Sequence, residues 1–210
     1  MITLVIDAST YRGTVAVFRD HALAASGQAA MKGAHAEALM PAVAEALSKA
    51  GVSVEQLDRV VCGEGPGSFT SLRIAGAIAK GICLGRGIPL FAVSSLGLAA
   101  AAVTGSGTYV VTIDALRDEW YAAVFERDGG GNLAVRSPVS LVPKSEMDAF
   151  AAGIGKAILS AEPDATACAA LFDEIERRGP VDLDRWEPSY GRLAEAQVKW
   201  EAAHGRPLKA

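Results

Sequence analysis

Two segments of the chain carry residue types that could hold a phosphate or a metal. The first is Gly63-Glu64-Gly65-Pro66-Gly67-Ser68-Phe69-Thr70, set between a short apolar run and a helical pattern. Glycines let a backbone take turns closed to other residues, and a following helix start presents unpaired N–H groups with partial positive charge, so an anion could sit at Gly65, Gly67 and Ser68. The segment is not a Walker A loop, which needs a lysine after its last glycine, and Ser68 does not stand in G-x-S-x-G. A purely structural strand-to-helix turn capped by Ser68 or Thr70 fits the spacing equally well. The second segment is Asp7 with Ser9 and Thr10, at the end of Thr3-Leu4-Val5-Ile6. An acid beside two hydroxyls can bind a nucleotide's metal and phosphates, and the same residues also stabilise turns by bonding nearby backbone N–H groups.

Other chemistry is sparse. His21, His35 and His204 have no companions at ligand spacing, so no metal site is expected. Cys62, Cys83 and Cys168 are odd in number, far apart and without a C-x-x-C pair, which suits reduced core thiols. With 24 acidic against 20 basic residues the chain has no basic stripe, so strong binding to a nucleic-acid backbone by this chain alone is not expected. The amino terminus lacks a basic region and reaches an acid at its seventh residue, unlike a secretory signal. The apolar stretches around Ile74–Leu84 and Val93–Val103 are too short or too rich in glycine and alanine to span a bilayer, so a soluble cytoplasmic protein is expected.

With 210 residues, half of them hydrophobic, the chain can bury a sizeable core. Thr3–Ile6 and Gly13–Phe18 read as a hairpin, and Ala22–Gln28 as a third strand. Ala34–Ala50 reads as a helix with Pro41 forcing a kink or a late start, and Gly51 stands where a cap belongs. Arg59–Cys62, a helix over Ser71–Arg86, Leu90–Val93 and a helix over Ser95–Val103 follow. The order is therefore βββαβαβα, an α/β arrangement. Thr104-Gly105-Ser106-Gly107 then divides the chain into a domain at 1–104 and a shorter one at 108–210.

The second domain begins as the first did. Val5-Ile6-Asp7-Ala8 is answered by Thr112-Ile113-Asp114-Ala115, and Val15–Phe18 by Ala122–Phe125, at one offset of 107 residues. A duplicated domain is implied, with Asp7 and Asp114 at turns facing the cleft between halves, as in actin-like phosphotransferases. In the second domain Leu133–Leu141 reads as one strand, Ser145–Ala152 as a short helix capped by Ser145, and Ala165–Arg178 as a better helix. A polar tail helix follows Arg192.

Several of these residues form a wider pattern. Ile6-Asp7-Ala8-Ser9-Thr10, His35 with Leu39 and Pro41, the run Gly65–Arg73, Val93-Ser94-Ser95-Leu96, Asp114-Ala115 with Glu119 and Tyr121, and Pro188, Tyr190 and Arg192 together resemble the TsaB (YeaZ) family. Ala8 and Ser71 depart from the usual Asp-Thr-Ser-Thr and Gly-Leu-Arg. The resemblance implies an actin-like ATPase (ribonuclease H-like) fold of two halves, the second abbreviated. It implies a scaffold role in tRNA threonylcarbamoyladenosine modification beside the catalytic paralogue TsaD and the ATPase TsaE, with a homodimer when alone and tRNA met only through the complex. The paralogue holds its metal through an H-x-x-x-H helix after a strand-ending Val; here Ser95 and Ala99 occupy that interval, so no catalytic residue and no required cofactor are expected. Asp7, Ser9, Thr10, Gly65, Gly67, Ser68 and Asp114 would then be a vestigial nucleotide site admitting weak ATP or ADP binding. The alternative is an active actin-like ATPase or small-molecule kinase using the same groups. Alanine stripes at helical spacing suggest the partner surface: Ala38 and Ala42 beside Leu39 on one helix, Ala75 and Ala79 on the next, with His35, Thr70 and Arg73 near the helix starts.

Overall fold

A computed structural model describes residues 1–31, 38–116, 118–154, 157–191, 200 and 203–205. Strands β1 (Ile2–Asp7), β2 (Arg12–Arg19), β3 (Ala22–Ala30), β4 (Arg59–Gly63) and β5 (Leu90–Val93) form one sheet in the order β3-β2-β1-β4-β5. β1 pairs antiparallel with β2 and parallel with β4. That mixed order follows from the connections: the first two links are short hairpins, while helices α1 (Leu39–Lys49) and α2 (Phe69–Arg86) carry the crossovers. Alternation places Leu4 and Ile6 on the face covered by α1 and α2, and Val5 with Ala16 and Phe18 on the other. Pro41 lies in the first turn of α1, where its missing N–H would have no intrahelical partner. The expected earlier start at Ala34, like His35 and the tail helix from Arg192, lies outside the described residues.

The second sheet comprises β6 (Gly107–Leu116), β7 (Glu119–Arg127), β8 (Leu133–Val135) and β10 (Ala157–Ser160) in the order β10-β6-β7-β8, with β9 (Ser140–Pro143) also on β7. The single strand expected over Leu133–Leu141 is broken between these two pieces at Pro138, which has no N–H to donate to a ladder. The short helix is α4 (Met147–Ile154), preceded by a tight turn at Lys144–Glu146 that contains Ser145. α3 (Ser95–Ala101) lies between the sheets, packing Leu98 towards the first and Leu96, Ala99 and Ala100 towards the second. Arg127 of β7 donates to the carbonyls of Ala100 and Ala101, satisfying the end of α3 with a cation.

The repeat holds for β2 and β7 but slips in β6. The 107-residue offset relates Thr14 to Tyr121, and Thr14 opposes Asp7; yet the residue opposite Tyr121 is Ile113, while Asp114 faces Trp120. A slip of one residue sends every side chain to the other face. Asp114 therefore does not stand where Asp7 does. It shares the Trp120 face, which packs under α4, and its carboxylate is 48% exposed beside Lys144 at 3.3 Å.

The boundary expected near residue 104 separates the sheets but not the chain. After β10, the 3-10 turn Ala165–Leu171 and α5 (Phe172–Arg178) return to the first sheet, placing Cys168, Leu171, Phe172 and Ile175 against Val5, Phe18 and Val61. Val181 then donates its N–H to the Leu90 carbonyl. The described residues from Ala165 to Ile175 thus belong with the first sheet, whose second apolar face they cover together with Leu98 of α3. Arg59, nearly buried there, donates to Thr3 Oγ1 at 2.9 Å and to Glu176 Oε1 at 2.9 Å, with its guanidinium 4.8 Å from the Phe172 ring centre. Glu176→Ala is expected to lower stability by about 1–2 kcal/mol, since a buried cation loses a partly solvated partner, and adding Arg59→Met should recover most of it. Urea titration of both variants checks this.

The helix faces correct the expected partner surface. Leu39, Ala42, Ala75 and Ala79 are all in the core beneath α1 and α2, because the sheet needs small side chains there for two helices to lie close. Ala38 is half-buried, and Thr70 and Arg73 are exposed. The outward face of α2 instead carries Ala77, Gly81, Leu84 and Gly85, with Leu84 64% exposed. No helix among the described residues is long and apolar enough to cross a membrane.

Candidate functional site

Asp7 ends β1 fully buried, with its carboxylate engaged on both oxygens. Oδ1 accepts from the Ser9 amide at 2.9 Å and the Ser9 hydroxyl at 2.8 Å, and Oδ2 lies 2.5 Å from Ser95 Oγ. Ser95 Oγ also accepts from the Gly65 amide, and the Ser95 amide donates to the Gly65 carbonyl. The first turn, the glycine turn and the start of α3 are thereby joined through one carboxyl group. Burial pushes the Asp7 pKa up, against the opposing pull of the hydrogen bonds from Ser95 and Ser9.

The glycines are explained by protein packed against protein. A Cβ at Gly63 would fall on the Asp7 carboxylate, and one at Gly67 on the backbone of Ser9. Gly65, at φ +92°, has the Ser189 carbonyl where its Cβ would be. The Ser68 amide donates to the Ser9 carbonyl at 2.7 Å, and the Ser189 amide to the Glu64 carbonyl at 2.6 Å. Ser68 holds the cap position of α2, yet its hydroxyl meets Ser71 Oγ at 3.0 Å and caps no backbone N–H. The space a glycine loop would leave for phosphate is filled on one side by the Asp7–Ser9 turn and on the other by residues 186–191.

Of the expected residues, Asp7, Ser9, Gly65, Gly67 and Ser68 come together. Thr10 turns away, its hydroxyl donating to Glu162 at 2.7 Å. Asp114 is on the far face of the second sheet, as described above. The Arg73 guanidinium lies 4.0 Å from the Phe69 ring centre and donates to the Tyr190 hydroxyl at 3.2 Å. Ser95 was expected only as a residue unable to ligate a metal; its bond to Asp7 had no sequence signal, since the two stand 88 positions apart. Ala99 is buried among Tyr109, Ile113 and Phe125. Among the described residues no cluster of three His, Cys, Asp or Glu side chains is placed to hold a metal. The three cysteines are buried, and burial raises all three thiols, Cys83 to about 11.

The first sheet's order, the abbreviated second copy and the helix between them define an actin-like ATPase fold of the ribonuclease H-like kind. The family model for TsaD, tRNA N6-adenosine threonylcarbamoyltransferase, matches residues 29–155. The tRNA threonylcarbamoyladenosine biosynthesis protein TsaB of Escherichia coli is 33% identical over 134 residues, 62% of this chain and 58% of that protein. Its namesake from Bacillus subtilis is 28% identical over 95% of this chain and 98% of that protein. A crystal structure of an uncharacterized Pseudomonas aeruginosa protein with similarity to peptidase YEAZ superposes with a TM-score of 0.77 at 24% identity, covering 91% of this chain and 99% of that one. The chain belongs to the TsaD family, within its TsaB (YeaZ) group, whose members take part in tRNA threonylcarbamoyladenosine biosynthesis.

Proposed function

We propose that the chain is a non-catalytic scaffold subunit of the tRNA threonylcarbamoyladenosine machinery, pairing with a TsaD-like catalytic paralogue and a TsaE-like ATPase. The observation that carries this reading is the use of Ser95 and Ala99. The interval in which the resemblance sets two metal-binding histidines holds a hydroxyl committed to Asp7 and a methyl buried in an apolar cluster. Neither group ligates a transition metal. The closed packing of Gly65 and Gly67 likewise supports a chain that needs no nucleotide, with any ATP or ADP bound weakly. Transfer to tRNA then belongs to the paralogue, and tRNA is met through the complex. Alone, the chain would pair with a second copy in the cytoplasm.

The partner surface in this proposal is the outward face of α2, where Ala77, Gly81 and Gly85 recur at i+4 and an added Cβ at Gly81 or Gly85 meets nothing within 4 Å. Small residues there let another backbone approach closely, and Leu84 supplies exposed apolar area. Gly81→Ala is expected to stabilise the isolated chain by about 0.5–1 kcal/mol, because an exposed mid-helix glycine is replaced. Gly81→Trp should fold equally well yet weaken binding to the paralogue by roughly 5- to 150-fold, the effect of about 1–3 kcal/mol of overpacking, and depress tRNA modification with it. Thermal melting, titration calorimetry and a reconstituted modification assay read these three quantities. Modification by the isolated chain, or undiminished binding by well-folded Gly81→Trp, would refute the scaffold or its surface respectively.

A further inference from the structure

We propose that residues 186–191 are a two-ended clasp that fastens the glycine turn and the start of α2 to the second sheet, and that releasing it loosens the turn without unfolding the first sheet. The segment has no regular structure and much of it is exposed, yet it touches both halves. At its near end Trp186 and Pro188 lie over Gly76 of α2, where a Cβ would already be at 3.4–3.5 Å. In its middle the Ser189 amide holds the Glu64 carbonyl, and its carbonyl closes on Gly65. At its far end the Tyr121 hydroxyl of β7 donates to the Tyr190 carbonyl at 3.0 Å. Gly191, at φ +71°, fits between the Tyr121 ring and Pro66, which leaves no room for a side chain.

The Tyr190 ring adds a second hold on α2. It lies 4.4 Å from the Phe69 ring centre, with the Arg73 guanidinium bonded to its hydroxyl. The Tyr190 contacts with Phe69 and Arg73 are local and lie outside the four apolar clusters that hold the sheets; the segment meets those clusters at Trp186, at the edge of one, and at the Tyr121 ring of another. Segments held by few buried apolar contacts open at lower free energy than the core, so the clasp can detach as a unit. Detached, it would uncover Gly65 and Pro66 and remove a direct tie between α2 and β7. This device does not depend on the identity of any partner.

Amide hydrogen exchange on the isolated 210-residue chain tests it, comparing peptides covering residues 64–72 with peptides from β1 as an internal reference. Gly191→Val is expected to speed exchange in 64–72 at least tenfold and leave β1 protected. Tyr190→Ala should act in the same direction, and Tyr121→Phe, which removes the hydrogen bond to the Tyr190 carbonyl but keeps the buried ring, should act less. Unchanged exchange in 64–72 for Tyr190→Ala or Gly191→Val would overturn the clasp. So would an equal rise in β1, which would make the segment part of the global fold. If Gly191→Val does not fold, Tyr190→Ala decides alone, since its truncation adds no clash.

Discussion

Asp7→Ala is expected to lower the stability of the chain by about 2–4 kcal/mol, while Asp7→Asn should stand within about 1 kcal/mol of the parent or above it at pH 7. Alanine strands a buried backbone N–H and two hydroxyls that now meet the carboxylate. Asparagine can keep the geometry: its Oδ1 accepts from Ser9, and its amide donates to Ser95 Oγ. The pH dependence separates the two forms further. Burial raises the folded pKa of Asp7 above its ordinary value of 3.8, so its protonated form favours folding. That contribution is complete below about pH 3.8 and is lost as pH rises through the elevated folded value. Asp7→Asn cannot ionise, so its stability relative to the parent should climb between about pH 4 and neutrality. Urea unfolding across that range measures it; a flat difference would show that Asp7 does not titrate as its burial requires. In the reconstituted system Asp7→Asn should support tRNA modification normally, whereas a kinase-like or ATPase role for this carboxylate predicts its collapse.

Gly63→Ala should be among the most damaging single methyl additions in the chain, costing roughly 3 kcal/mol or more. Gly63 closes β4, between β1 and β5, and its Cα faces the Asp7 carboxylate so closely that a Cβ would overlap Oδ2. Neither partner can yield: one is strand backbone, the other is pinned from two sides by Ser9 and Ser95. The decisive measurement is a double-mutant cycle. With Asp7→Ala in place, the two atoms that the new methyl overlaps, Oδ2 and Cγ, are gone, so the double variant should be more stable than the sum of the single effects by at least about 1 kcal/mol. Additive losses would mean that Gly63 is needed for its backbone conformation instead of for the approach of Asp7.

The first half was legible because local rules and the global fold agree there. Period-two runs gave β1 to β3, and helical periodicity with Gly51 and Gly87 at positive φ marked the ends of α1 and α2. The second half was less legible where strands are short. The four-residue β10 passed unnoticed, and one expected strand proved to be two. The glycine turn was found from composition, but spacing could not choose between an anion and a packed turn. Nor could it show that Ser9 and Ser189, remote in sequence from Gly65 and Gly67, close on the turn in the folded chain.

By itself the sequence determined the α/β class, the order of elements in the first half, the duplicated hairpin, the core cysteines, and a motif set specific enough to point to one family. These follow from side-chain periodicity, turn chemistry and local spacing, which act over a few residues. Only the tertiary structure decided which residues share a face. The similarity of Asp7 and Asp114 survives in the letters, but a one-residue slip in pairing buries the first and turns the second towards Lys144. The alanine stripes of α1 and α2 were expected to face a partner, yet Ala42, Ala75 and Ala79 lie in the chain's own core, and Gly81 and Gly85 of α2 face outward. Register and helix orientation are set by what each face can bury against a distant segment, and a linear pattern carries no record of which segment returns to cover it.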